Sequence, residues 1–297
     1  MDMERPDEAQ LSMLRSIEIQ PGYASAYSKM SDIKGQLGDL PAKLDWARKS
    51  IEVDPEDHEL ASVLAIDFYM LGSPEEGDRW ANRVMALAPE SDVARQTQLY
   101  GLIAHGDLAS AEAMARSMIN DQVSRRQGAI WDATFIFHQI VSNDDRDQEG
   151  LAFLEGVRPD ITDFTVLPTD QQGTAMQWVA IMFAHRVLGP EVSQTRWSQF
   201  TANIEASGAG WQEDDPLFEI MEPLLGGDLD SAVKIALEKS LSEPVAVWIG
   251  QNDAFQLSIY APLTSDPRII ARLAERDREL QQAKRAVQVM LQGEEWQ

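Results

Sequence analysis

Four histidines, His58, His105, His138 and His185, are the side chains best suited to move a proton or hold a metal, and they are scattered along the chain. No HExxH and no pair of histidines four residues apart occurs, so no helical zinc site is spelled out. His105 precedes a turn, where a structural role suffices. Asp145, Asp147, Glu149 and Gly150 have the spacing that opens a calcium loop, but Gly156 stands where the bidentate glutamate would close it. A solvated acidic turn with Asp caps is the simpler expectation. Glu213, Asp214 and Asp215 precede Pro216 and suit a helix N-terminus, where carboxylates meet the positive end of the dipole. A pair of catalytic carboxylates acting on sugars would need two positions that stand out, and none does. There is no GxSxG, GxxxxGK[ST] or GxGxxG; Gly208-Ala209-Gly210 reads as a loop. Trp46, Trp80, Trp131, Trp178, Trp197, Trp211 and Trp248 fall on predicted helices or their ends. Core packing is expected of them, with a sugar-stacking platform as the alternative. No metal, cofactor or catalytic residue is expected.

Composition narrows the classes further. The 297 residues carry 25 Lys and Arg against 49 Asp and Glu, a formal charge of −24. Such a surface repels a phosphate backbone or an anionic membrane and steers basic partners toward it. With no cysteine, disulfides, thiolate metal sites and thiol catalysis are all excluded. The acidic start, Met1-Asp2-Met3-Glu4, is no signal peptide, and no apolar run approaches a membrane span. The expectation is a cytoplasmic chain, or a periplasm-facing one if it belongs to a membrane-tethered regulator.

The elements that would carry these residues follow from an internal period. Pro21, Pro55 and Pro89 lie 34 residues apart, as do Gly38, Gly72 and Gly106, and Ala47, Ala81 and Ala115. Three markers on one period imply a repeated unit that cannot bury its apolar stripe alone and must stack. Each Gly can end a helix in the left-handed region, and Asp39, Ser73 and Asp107 behind it can cap the next. Leu44, Ala47 and Ile51 then form one apolar stripe before Pro55 stops the helix. The pattern returns at Gly227-Asp228-Leu229, with Ala232, Ala236 and Pro244. Between these blocks, residues 128–158 read as a helix pair broken at Ser142-Asn143-Asp144-Asp145, and 172–206 as a pair broken at Gly189-Pro190. A loop is expected near 159–171 and a long helix from Pro267 to Leu291.

The sentence formed by Tyr27, Met30, Gly38, Ala47 and Pro55 resembles a tetratricopeptide (TPR) repeat. Ser31 and Lys43 depart from the small residues usual there, and Val123 replaces the third closing Pro. The resemblance implies an all-α fold: a TPR-like α-solenoid, a right-handed superhelix of helix-turn-helix repeats with a long C-terminal helix. Regular repeats would cover 1–123, divergent pairs 124–210, and a final unit with capping helices 211–297, as one continuous solenoid. The last stretch, with Trp248, Pro262-Leu263 and Asp266-Pro267-Arg268, resembles the TPR half of bacterial CadC/ToxR-like winged-helix regulators or class III adenylate cyclases. Neither a winged helix nor a cyclase domain is present in the sequence. The terminal helix is locally basic, through Arg268, Arg272, Arg276, Arg278, Lys284 and Arg285, and is expected as a solvated cap or docked on an acidic face of the chain.

By repeat phase, Ala9, Met13, Ile17 and Ile19 form a second-helix stripe whose first helix would precede Met1, so the array opens on an orphan helix. Either the chain continues upstream or another protein supplies the packing. The TPR resemblance also implies a concave groove lined by the first helices. Ser28, Asp32 and Gln36, then Ser62, Ile66, Tyr69 and Met70, then Gln96, Tyr100 and Ile103 would face it. Asp32 stands where a carboxylate clamp would need Asn, so chaperone-tail binding is not expected. The expected function is a scaffold binding a protein or peptide, possibly a basic one. A sensory module of a larger regulator or cyclase is the alternative, and an all-α carboxylate enzyme the second.

Overall fold

The computed structural model describes residues 6–121, 127–165, 171–207, 216–244, 255, 258–293 and 296, and every regular element among them is helical. The glycines of the repeat turns take the conformation expected of them. Gly38, Gly72, Gly106 and Gly227 have φ of 77°, 70°, 74° and 79°, a region costly for any residue with a Cβ. The first seven helices are α1 (Pro6–Ile19), α2 (Ala24–Gln36), α3 (Leu40–Val53), α4 (His58–Met70), α5 (Pro74–Leu87), α6 (Asp92–Ala104) and α7 (Leu108–Asn120), with Gly38, Gly72 and Gly106 at the α2–α3, α4–α5 and α6–α7 turns. Asp39, Asp107 and Asp228 cap the helices behind them by accepting from the backbone N–H three residues on. Ser73 does not: it is buried, makes no cap bond, and its Oγ instead accepts from Gln288 at 2.8 Å.

The chain divides into two compact units. The first comprises residues 1–104, 243–251 and 274–297. In it α2 packs on α3, and α4 packs on both α5 and α6. Leu40, Leu44, Ala47 and Ile51 of α3 meet Leu64 and Phe68 of α4 and Trp80 and Val84 of α5 in one core. Burial of each large side chain there is worth about 1.5–3 kcal/mol. The terminal helix is α15 (Pro267–Leu291), following the one-turn α14 (Ala261–Thr264). From Ala274 onward α15 belongs to this unit, where Leu280 and Val287 join the core. It is therefore more than a solvated cap: Arg276, 2 % exposed, donates to the Glu243 carbonyl and pairs with Glu279. Trp296 enters the same core edge-on to Phe68, under the Arg48 guanidinium, with its carbonyl held by Arg79 at 2.7 Å. On α1, Met13 and Ile17 are half-buried, but Ile19 is exposed and lies off the stripe expected to hold it.

The second unit comprises 105–242 and 252–273. It contains α7, α8 (Gln127–Asn143), α9 (Asp147–Val157), α10 (Gln171–Leu188), α11 (Pro190–Ser207), α12 (Pro216–Leu225) and α13 (Leu229–Ile235), the last continued by a π-helical turn over Ala236–Ser240. Both breaks expected between these pairs are present, the first marked by Asp145 at φ 57°. Part of the expected 159–171 loop is a 3₁₀ turn, Pro159–Thr162, anchored by buried Ile161; residues 166–170 lie outside the described residues. Trp178 and Trp197 are buried with Phe218, and Trp178 meets Trp131 and Phe135 edge-on. Trp211, Trp248, Val123 and the Glu213-Asp214-Asp215 run lie outside the described residues. Among the described residues no helix is long and apolar enough to cross a membrane.

Candidate functional site

The ten residues expected to face a partner divide by burial. On α2, Asp32 and Gln36 are exposed and Ser28 half-buried. On α4, Ile66 and Met70 are half-buried, as are Gln96, Tyr100 and Ile103 on α6. Ser62 and Tyr69 do not face solvent. Ser62 is 2 % exposed, and its hydroxyl lies 2.6 Å from that of Thr97, a polar bond that ties α4 to α6. Tyr69 is 7 % exposed, with its ring over Gly77 and its hydroxyl end against Gly101. The hydroxyl donates to Asp78 at 2.9 Å. Burial, with the Asp78 carboxylate second, pushes this phenol well above its usual range.

The reason lies in residue size at repeat-equivalent positions. Positions 35, 69 and 103 hold Gly, Tyr and Ile, and the facing positions 43, 77 and 111 hold Lys, Gly and Ala. Where the helix contributes Gly35, the Lys43 stem crosses it, and a Cβ on Gly35 would lie 3.3 Å from Lys43 Cδ. The Lys43 ammonium then reaches Asp67 at 2.6 Å. Burial raises the Asp67 carboxyl, and the ammonium opposes that rise. One repeat later the large and small partners exchange places, and the Tyr69 ring occupies the space above Gly77. The signal for Tyr69's burial was therefore in the sequence, in Gly77 and Gly101, although helical phase alone assigned it to the surface.

Asp32 and Gln36 take part in a groove of about 260 Å³ between α1 and α2. Ile33, 3 % exposed, forms its floor, with Ala9, Ser12 and Met13 as the α1 wall. Lys29 and Asp32 pair across its rim at 2.9 Å, both about half exposed.

The second unit holds a cluster that sequence reading missed. His138 and Ser142 lie four residues apart on α8, with Asp147 opening α9. A serine, a histidine and an aspartate in contact could in principle activate a nucleophile. The direction of the hydrogen bonds argues for a clasp instead. The Ser142 hydroxyl donates its one proton to Asp147 Oδ1. His138 Nε2, 3.4 Å from Ser142 Oγ, can then only donate, so it is no base for this serine. Asp147 is further paired with Arg186 at 3.0 Å, and Asp145 with Arg186 at 2.6 Å. Of the residues expected as a solvated acidic turn, Asp145 and Glu149 are exposed, and only Asp147 is buried, where its pairing with Arg186 ties α9 to α10. His138 is fully buried against the Phe183 ring, and burial, with Arg186 second, pulls its imidazole down to about 3. His185 is lowered by the same two causes and shares a 3.0 Å hydrogen bond with Ser193.

No protein-family model and no curated protein matches the chain.

Proposed function

We propose that the chain is a TPR-like α-solenoid acting as a non-catalytic scaffold, which holds a protein or peptide segment against the face built from α2, α4 and α6. The observation that supports this reading is the pattern of exposure. Ile66, Met70, Tyr100 and Ile103 stay part-exposed at the repeat phase that would face a partner, while their neighbours Leu64, Phe68 and Leu99 are fully buried. Aromatic and methionine side chains among amides such as Gln96 suit adaptable peptide contacts. The charge of −24 favours a partner with a basic segment, with Asp32 exposed on the same run of first helices.

Screening an array of cationic peptides against the full chain, followed by fluorescence anisotropy on the hits, tests the proposal. The Met70→Glu/Ile103→Glu double variant should bind at least about tenfold more weakly, because a charge in a desolvated contact costs more than a rim contact gains. Its urea midpoint serves as the folding control. Equal affinity for wild type and a folded double variant would overturn the assignment of this face.

A further inference from the structure

Stacked repeats touch only their neighbours, so the tilt between two of them rests on one interface. In the first unit a further element joins two repeats. From Ala274 onward, α15 meets the turns of both. At the α4–α5 turn, the Lys284 ammonium lies 3.7 Å from where a Cβ on Gly72 would stand, and Gln288, one turn along, donates to Ser73 Oγ at 2.8 Å. At the α2–α3 turn, a Cβ on Gly38 would stand 3.4 Å from Pro244 Cβ. Arg276 of α15 holds that segment by donating to the adjacent Glu243 carbonyl. Trp296 completes the bridge. Arg48 of α3 lies over its ring, Phe68 of α4 meets it edge-on, and Arg79 of α5 donates to its carbonyl. One residue thus touches three helices drawn from both repeats.

The residues that make these contacts depart from the repeat. Positions 39, 73 and 107 hold Asp, Ser and Asp; 34, 68 and 102 hold Lys, Phe and Leu; 45, 79 and 113 hold Asp, Arg and Ala. In each set the middle copy is the one that meets α15 or Trp296. Ser73 forgoes the cap bond that Asp39 and Asp107 make and accepts from Gln288 instead. Phe68 supplies a ring and Arg79 a donor that the neighbouring copies lack.

We propose that α15 and Trp296 form a strap that locks the tilt between the repeats α2–α3 and α4–α5, and so holds α2, α4 and α6 in the arrangement that receives a partner. The second half of this proposal rests on the peptide face proposed above. The helix common to both is α4, which also packs on α6. Its Phe68 meets the strap, while Ile66 and Met70, two residues to either side, belong to the face.

The chain has no cysteine, so Ser25→Cys on α2 and Asn82→Cys on α5, both at exposed positions, place two spin labels and no others. Double electron–electron resonance on the full chain then reads the tilt as a distance distribution. One narrow maximum is expected. Trp296→Ala should broaden it and abolish the single maximum. So should the milder pair Gln288→Ala/Arg79→Ala, which leaves the core side chains in place. Leu99→Ala truncates a buried side chain of the same unit away from the strap, and should keep the narrow maximum. That control separates loss of the strap from general loss of stability. Both strap variants, with helix content equal to wild type by circular dichroism, should bind the cationic peptides at least about fivefold more weakly, the order of a mutational effect on coupling. A narrow distribution in both strap variants overturns the proposal, as does equal broadening in Leu99→Ala. Broadening with unchanged peptide affinity also overturns it. If no cationic peptide binds the wild type, the peptide face falls, and the distances alone decide whether the strap locks the tilt.

Discussion

Tyr69 sits at a helical phase that faces outward in an average repeat, yet two glycines on neighbouring helices draw it inward. Replacing it with alanine should cost about 3 kcal/mol in urea unfolding, the order expected for truncating a buried aromatic side chain. Gly77→Ala should also destabilise, although alanine favours a helix by about 1 kcal/mol, because the new Cβ runs into the Tyr69 ring. His138 gives a prediction in pH. Its folded value of about 3 lies below the ordinary 6.5 of an unfolded histidine, so between those values the unfolded chain binds the extra proton. Its contribution is complete above pH 6.5 and is lost as pH falls toward 3, with a slope approaching about 1.4 kcal/mol per pH unit. His138→Phe should flatten the stability profile over that window, as followed by circular dichroism; an unchanged profile would assign the acid sensitivity to other groups. At this scale the sequence was only partly legible. Ile66, Met70, Gln96, Tyr100 and Ile103 are part-exposed, with Met70 and Tyr100 also packed against the core, whereas Ser62 and Tyr69 are buried. Phase gives direction along one helix; exposure depends on the size of the residue that faces it.

At the scale of the elements, turn chemistry carried most of the information. A glycine at φ near 70° followed by a capping Asp ends one helix and starts the next, and both halves of that device are local. Gly72→Ala should therefore cost about 1–2 kcal/mol in thermal or urea unfolding without altering helix content, since a Cβ in the left-handed region is strained wherever it points. The terminal helix was legible in its bounds, Pro267 to Leu291, but not in its seating. Its arginines suggested a solvated cap or docking on an acidic face of the chain, whereas the seating is made by Leu280 and Val287, spaced seven apart, which enter the core of the first unit with Trp296. Trp296→Ala should lower stability by about 3 kcal/mol or more, because it opens a cavity beside Phe68 and removes the ring beneath Arg48. A ΔΔG under about 0.5 kcal/mol by urea titration would show that this side chain is not seated in solution.

Over the whole molecule the dominant feature is the charge of −24, which acts on encounters more than on the fold. A cationic peptide partner should associate at a rate that falls steeply with ionic strength, by about tenfold as salt rises from dilute buffer past physiological levels. Stopped-flow rates that ignore salt would place the basic-partner expectation in error. The sequence by itself determined the helical class, the turns and the repeat phase, because those follow from local backbone preferences and a period that recurs in one dimension. Only the tertiary structure decided which side chain fills each repeat slot. Whether Lys43 or Tyr69 occupies a slot depends on the sizes of residues brought together from neighbouring helices. Tertiary packing also brought Arg186 to the local His138, Ser142 and Asp147 cluster, from a helix about forty residues away.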